Sequence, residues 1–172
     1  MMIVEKYTKA FLATLNEEEV APAYEAIARI ALVAKEPKFI LIVKSPLLSV
    51  EEKVKTLSEI AEYDNPKFLN FLKIVLENKR EDLFKEIHTS LYEKVSKYYN
   101  TYAGVVEGKI GEETLKEIED KLSQKFDATI KLQLSEKDIN GIKVFVDILN
   151  VEVAISEDKI KSDLINNILK AI

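Results

Sequence analysis

Asn65-Pro66-Lys67-Phe68-Leu69-Asn70-Phe71-Leu72-Lys73-Ile74-Val75-Leu76-Glu77-Asn78 is the stretch that decides the fold. Asn65 caps a helix and Pro66 opens it, because proline is tolerated at the first helical position, where its missing N–H would have no partner. From Pro66 to Leu76 the segment is apolar nearly all round. A helix covered along a single stripe keeps a polar opposite face, so this one is expected to be buried on two sides, at the centre of a bundle. A compatible and sharper reading is that it frames, with the first helix, a groove for a partner's amphipathic helix.

The segments on either side read as helices too. Ile3 to Leu15 repeats apolar residues in two adjoining rows, Ile3, Tyr7, Ala10 and Val4, Phe11, Leu15, which gives the first helix a wide apolar arc. Pro22 is read as opening a second helix through Ala26, Ile27 and Ile30, closed by Glu36-Pro37 because the residue before proline resists helical geometry. A short helix over Lys38 to Val43 follows. Ser49 with Glu52 three residues on is a capping box that starts a helix along Val54, Leu57 and Ile60. After the central helix, a sixth runs from about Asp82 to Tyr99 with Leu83, Ile87, Leu91 and Val95 on its stripe.

Proline and glycine divide the chain. All four prolines lie in the first 66 residues, and all four glycines (Gly104, Gly108, Gly111, Gly141) lie after residue 103. The first part therefore reads as consecutive helices, whereas the remainder alternates: strands over Tyr102 to Lys109 and Ala128 to Leu134 flank a helix over Glu112 to Phe126. Ile142 to Val146 and Val151 to Ile155 pair near Leu149-Asn150, and a closing helix follows Ser156. The expected architecture is two domains: an all-α six-helix bundle over 1–103 and a small α+β domain over 104–172.

Composition narrows the function. At 172 residues and 47% hydrophobic, the chain has ample material for packed cores. Without cysteine there is no disulfide, thiolate metal site or thiol nucleophile, and the single histidine, His88, rules out an all-histidine zinc site. Up to Ala103 there are 15 basic and 16 acidic residues, and afterwards 10 and 14, for a net charge of −5 overall. Nucleic acid is therefore not an expected partner, since phosphate binding rests on a basic footprint. Met1 to Leu15 carries Glu5, Lys6 and Lys9 and does not read as a signal peptide, so the mature chain is expected to start here. No window approaches the roughly 20 apolar residues of a membrane span.

Catalytic motifs are equally scarce. There is no G-x-G-x-x-G and no phosphate-cradling G-x-x-x-x-G-K, so Gly104, Gly108 and Gly111 are read as turns. Runs such as Glu17-Glu18-Glu19, Glu51-Glu52 and Glu112-Glu113 stand at helix starts, where solvated caps are the simple explanation. His88, beside Ile87, has no neighbouring ligand and reads as a surface or satisfied histidine. What stands out is apolar surface.

Three ordered motifs carry a family resemblance. Lys6-Tyr7-Thr8-Lys9-Ala10-Phe11 is similar to an R-Y-A-K-A-L/F start, and Ser45-Pro46 with Ser49, Glu51, Glu52 and Lys53 to S-P-x-x-S-x-E-E-K. Phe68-Leu69-Asn70-Phe71-Leu72, leading through Leu76-Glu77-Asn78-Lys79-Arg80 to Leu83, Ile87 and Tyr92, is the most specific. The whole chain resembles the delta subunit of bacterial F-type ATP synthases, the counterpart of the mitochondrial oligomycin-sensitivity-conferring protein. Near the carboxyl terminus it departs from the pattern: Asn140-Gly141 stands where the family often has Gly-Gly, and Ala154-Ile155-Ser156 where it has D-x-S.

The resemblance implies a six-helix bundle and a small α/β domain. It also implies a stator subunit without catalytic residues or cofactor, peripheral on the cytoplasmic face of the bacterial inner membrane and touching the membrane only through the complex. Its partners would be amino-terminal helices of the alpha subunits on the catalytic head and the b-type subunits of the peripheral stalk. In such a role the protein resists torque while proton-driven rotation deforms the catalytic sites. The family's groove between first and fifth helices nominates Tyr7, Ala10 and Phe11 on one wall and Phe71, Leu72, Val75 and Leu76 on the other. Tyr7→Asp and Val75→Asp are both expected to lose head binding without unfolding. For the stalk, Leu164 and Ile168 of the closing helix are nominated. The alternative is an unrelated helical adaptor that binds an amphipathic partner helix.

Overall fold

A computed structural model describes residues 2–155 and 169–170. It divides into two compact units, Met1–Val95 and Ser96–Ile172, with the division falling inside the last helix of the helical region. That region comprises α1 (Met2–Thr14), α2 (Glu17–Val33), α3 (Pro37–Lys44), α4 (Val50–Ala61), α5 (Pro66–Glu77) and α6 (Phe84–Tyr99), with a 3-10 turn over Glu81–Leu83 before α6. The remainder comprises β1 (Thr101–Gly108), α7 (Glu112–Phe126), β2 (Thr129–Ser135), β3 (Ile142–Val146) and β4 (Val151–Ile155). The chain is thus helical in its amino-terminal part and α/β in its carboxyl-terminal part. The expected closing helix, with Leu164 and Ile168, lies outside the described residues.

Caps set most helix boundaries. Ser49 accepts from Glu52 N while Glu52 accepts from Ser49 N, so both ends of the capping box at α4 are made. Asn65 accepts from the Lys67 and Phe68 amides, and Pro66 stands at the first position of α5. The start of α2 differs from expectation. It begins at Glu17, under a second capping box formed by Asn16 and Glu19, and Pro22 lies inside the helix. Asn16 and Glu19 satisfy two orphan amides at that start, and the helix carries Pro22 in its second turn, where proline leaves one backbone carbonyl without its helical donor.

The wide apolar arc of α1 splits into two rows with different fates. Val4, Thr8 and Phe11 are buried, with the Thr8 hydroxyl donating to the Val4 carbonyl at 2.8 Å. Ile3 and Ala10 are exposed and Tyr7 is half-buried. On α5, Phe68, Phe71, Leu72, Val75 and Leu76 form the buried arc and pack into the core shared with Ile27, Ile30, Leu57 and Ile87. Arg29 of α2 donates to the Ala61 carbonyl at 2.8 Å, satisfying a backbone acceptor at the end of α4.

In the second unit the strand order is β2-β1-β3-β4, with β1 parallel to β2 and the other neighbours antiparallel. Strand β1 alternates exposed and buried residues, and its inward face packs with Ile118 and Leu122 of α7. Gly104 is no turn. It sits in mid-β1, where a Cβ would lie 2.5 Å from the Phe145 carbonyl and 2.7 Å from Val146, so close backbone approach dictates glycine. Gly108, by contrast, has φ +140 at the end of the strand, a conformation that side chains other than glycine rarely adopt.

α7 also closes the outer edge of the sheet. The Ser123 hydroxyl accepts from Ile130 N at 3.0 Å, and Glu119 accepts from Leu132 N at 2.9 Å. Four helical residues and two strand residues both span about 6 Å, so side chains one helical turn apart reach alternate amides of β2. Those amides would otherwise form an open edge able to pair with another chain.

Candidate docking surface

Where α1 crosses α5, the contact is aromatic. Phe11 stacks on Phe71 with centroids 4.2 Å apart, and Tyr7 meets the same ring edge-on at 6.4 Å. Offset and edge-on aromatic pairs each contribute about 1 kcal/mol beyond burial, which fixes the spacing of the two helices. Above this contact the surface dips into a concavity of about 410 Å³, lined by Ile3, Lys6, Tyr7 and Ala10 from α1 and by Ile74, Asn78 and Arg80. Its floor is apolar, and Lys6 and Arg80 on its rim make no ion pair among the described residues.

The nominated residues separate into two layers. Tyr7 and Ala10 line the concavity directly. Phe11, Phe71, Leu72, Val75 and Leu76 are buried, Leu72 and Val75 fully so, and form the packing beneath it. Val75→Asp would therefore place a carboxylate in the core and report on folding instead of docking, contrary to the expectation from sequence. Ile74, which was not nominated, is 40% exposed and supplies the α5 side of the floor. Adjacent apolar residues point about 100° apart on a helix, so residue type alone could not separate Ile74 from Val75. Position in the wheel relative to Phe71 and Leu72 was the available signal.

Comparison with known proteins gives these features a setting. Residues 3–164 match the family model of the ATP synthase delta (OSCP) subunit. The chain belongs to this family. It is 36% identical to ATP synthase subunit delta of Campylobacter concisus (strain 13826), over 99% of this chain and 98% of that one. Against ATP synthase subunit delta of Aliarcobacter butzleri (strain RM4018) the identity is 31% over the same shares. A chain in the cryo-EM structure of the Toxoplasma gondii mitochondrial ATP synthase hexamer shares the fold, with a TM-score of 0.61 at 18% identity, covering 94% of this chain and 96% of that one.

Other features of this delta-family chain are structural. Glu19 holds α2 to α5: it accepts from Asn65 Nδ2 at 3.1 Å and from Lys67 Nζ at 2.6 Å while capping its own helix. The Lys67 hydrogen bond, then the Asn16 amide and Asn65, hold its carboxyl at about 2 against an ordinary 4.5. His88 stacks on Tyr24 at 5.3 Å with Nε2 3.2 Å from the phenol oxygen, and burial pushes its pKa below the usual value. Among the described residues no group of three or more acidic or histidine side chains could hold a metal ion, and no helix is long and apolar enough to cross a membrane.

Proposed function

We propose that the chain is the stator delta subunit of an F-type ATP synthase. In this role its helices act as one bundle on top of the catalytic head, and its α/β unit joins the b-type subunits of the peripheral stalk. The α1–α5 concavity takes the amino-terminal helix of an alpha subunit, with Ile3, Tyr7, Ala10 and Ile74 as the apolar floor and Phe11, Phe71, Leu72, Val75 and Leu76 as its support. The chain makes no bond and hydrolyses nothing. It works by staying attached while torque is applied, on the cytoplasmic face of the membrane and without touching the bilayer itself.

The observation that carries this reading is the apolar concavity framed by the first and fifth helices in a chain whose family match spans residues 3–164. A stator link must release slowly, and among related complexes most affinity differences lie in the off-rate. Desolvated apolar anchors serve that better than exposed ion pairs, which contribute little each.

Titration calorimetry of the full chain against a synthetic peptide of the alpha subunit's amino terminus from the same source tests it. Saturable one-to-one binding that is lost in a folded Tyr7→Asp variant is the expected result. Absence of binding by a chain that circular dichroism shows to be folded would overturn the groove assignment.

A further inference from the structure

A larger concavity, of about 680 Å³, lies between α4 and α5. Its floor is built from Val54, Tyr63 and Leu69, all half-buried. Its rim carries four carboxylates, Glu51, Glu59, Glu62 and Asp64, against two ammonium groups, Lys55 and Lys73. Lys73 is already engaged, 3.7 Å from Glu51 and 3.8 Å from Glu77. Glu59, Glu62 and Asp64 make no ion pair among the described residues.

The placement of those carboxylates adds a second observation. Glu59 lies in the last turn of α4 and Glu62 is its C-cap, with φ 51, in the left-handed region. No basic residue stands in that last turn. Carboxylates at a helix carboxyl terminus sit against the negative end of the macrodipole, a locally unfavourable arrangement that a cation relieves. Arg29 reaches the Ala61 carbonyl from α2, but its nearest carboxylate is Glu25 on its own helix, at 3.9 Å. Lys55 and Lys73 offset two of the four carboxylates, which leaves the rim net acidic.

We propose that the α4–α5 groove is a docking site for a lysine- or arginine-bearing amphipathic helix of a partner protein. Apolar side chains of that helix would seat on Val54, Tyr63 and Leu69, while its cations meet Glu59, Glu62 and Asp64. The α1–α5 concavity has the opposite rim, Lys6 and Arg80, so a helix complementary to one groove is mismatched to the other. The inference stands on the geometry of α4 and α5 and does not depend on what fills the first groove.

The full chain can be titrated calorimetrically with an amphipathic leucine-lysine peptide of about four helical turns and with its leucine-glutamate counterpart. Saturable one-to-one binding of the lysine peptide, and none of the glutamate peptide, is expected. Glu59→Lys/Glu62→Lys should weaken it by about tenfold or more. Glu112→Lys/Glu113→Lys, on the exposed start of α7, makes the same change in net charge and should alter affinity by less than about twofold. Equal weakening by the two double variants would show attraction to a net acidic chain and overturn the proposal, as would no binding to the folded wild type. Amide shift changes confined to Tyr7 and Ile74 instead of Val54 and Leu69 would overturn it too.

Discussion

The two flanks of α5 differ in sign. Toward α1, the shoulder formed by Ile74 and Asn78 faces a rim of Lys6 and Arg80; toward α4, the shoulder formed by Leu69 and Lys73 faces Glu51, Glu59, Glu62 and Asp64. At about 100° per residue, Leu69 and Ile74 bound a sector of about 220° that holds the buried Phe71, Leu72, Val75 and Leu76, and the remaining sector of about 140° holds the exposed Asn70 and Glu77. A helix with an apolar arc this wide covers its middle with the core and leaves two half-covered edges. Each edge becomes the wall of a groove, and the neighbouring helix decides what charge surrounds it.

The largest effect should come from breaking what the two flanks share. Val75 lies in the buried arc with no exposure, so Val75→Asp should cost on the order of 4 kcal/mol through lost burial and a desolvated carboxyl group. Chemical denaturation would show it, and both grooves should lose their ligands together. Tyr7→Asp should act on one flank alone. It removes the edge-on contact with Phe71, about 1 kcal/mol, and leaves the chain folded, while affinity of the α1–α5 concavity for an alpha-subunit peptide falls by about tenfold or more. Binding of a lysine-rich helix on the other flank should not change. A variant that lowers both affinities without unfolding would show the grooves to be coupled.

A smaller effect should come from the α4 wall. Ser49→Ala removes the side-chain acceptor for Glu52 N, at 3.1 Å, and frees Glu52 from its return bond to Ser49 N. Loss of an N-cap costs about 1 kcal/mol, and hydrogen exchange should quicken in the first turn of α4 ahead of α1. Equal quickening along α1 would mean that the two walls open as one unit.

Much of this was legible from sequence, for reasons that differ by element. The starts of α4 and α5 were readable because Ser49-Glu52 and Asn65-Pro66 satisfy orphan amides locally, with no help from the rest of the chain. Asn16 caps α2 by the same mechanism, but Pro22 drew attention to a start several residues late. Gly104 was misread because what requires glycine there is the Phe145 carbonyl on a strand some 40 residues later, a long-range contact that no local pattern carries. The groove is similar in kind. That the first and fifth helices form it came from family resemblance, and Tyr7 and Ala10 do line the concavity. Which apolar residues of α5 face outward depends on where α1 and α4 pack. The acidic groove went unseen because Glu51 reads as part of a solvated cap, while Glu59, Glu62 and Asp64 form no local motif and meet it only when α4 packs on α5.

The weakest expected effect concerns the link that holds the amino-terminal end of α5 to α2. Glu19 accepts from Lys67 and Asn65 across from α2, and its carboxyl is held at about 2 in the folded chain against 4.5 ordinarily. Above about pH 4.5 the carboxyl is ionised in both folded and unfolded chains, so its full contribution is present. Between that pH and about 2 the unfolded chain takes up a proton that the folded chain refuses, and stability declines as pH falls. Glu19→Gln keeps the size of the side chain and removes this proton uptake. Urea denaturation across that window should therefore show a shallower pH dependence for the variant than for the wild type, with the difference vanishing below pH 2. Identical slopes would mean that the α2–α5 link carries no weight in solution, and that aromatic packing, of Phe68 against Tyr63 and Phe11 and of Phe71 against Phe11, positions that end of α5.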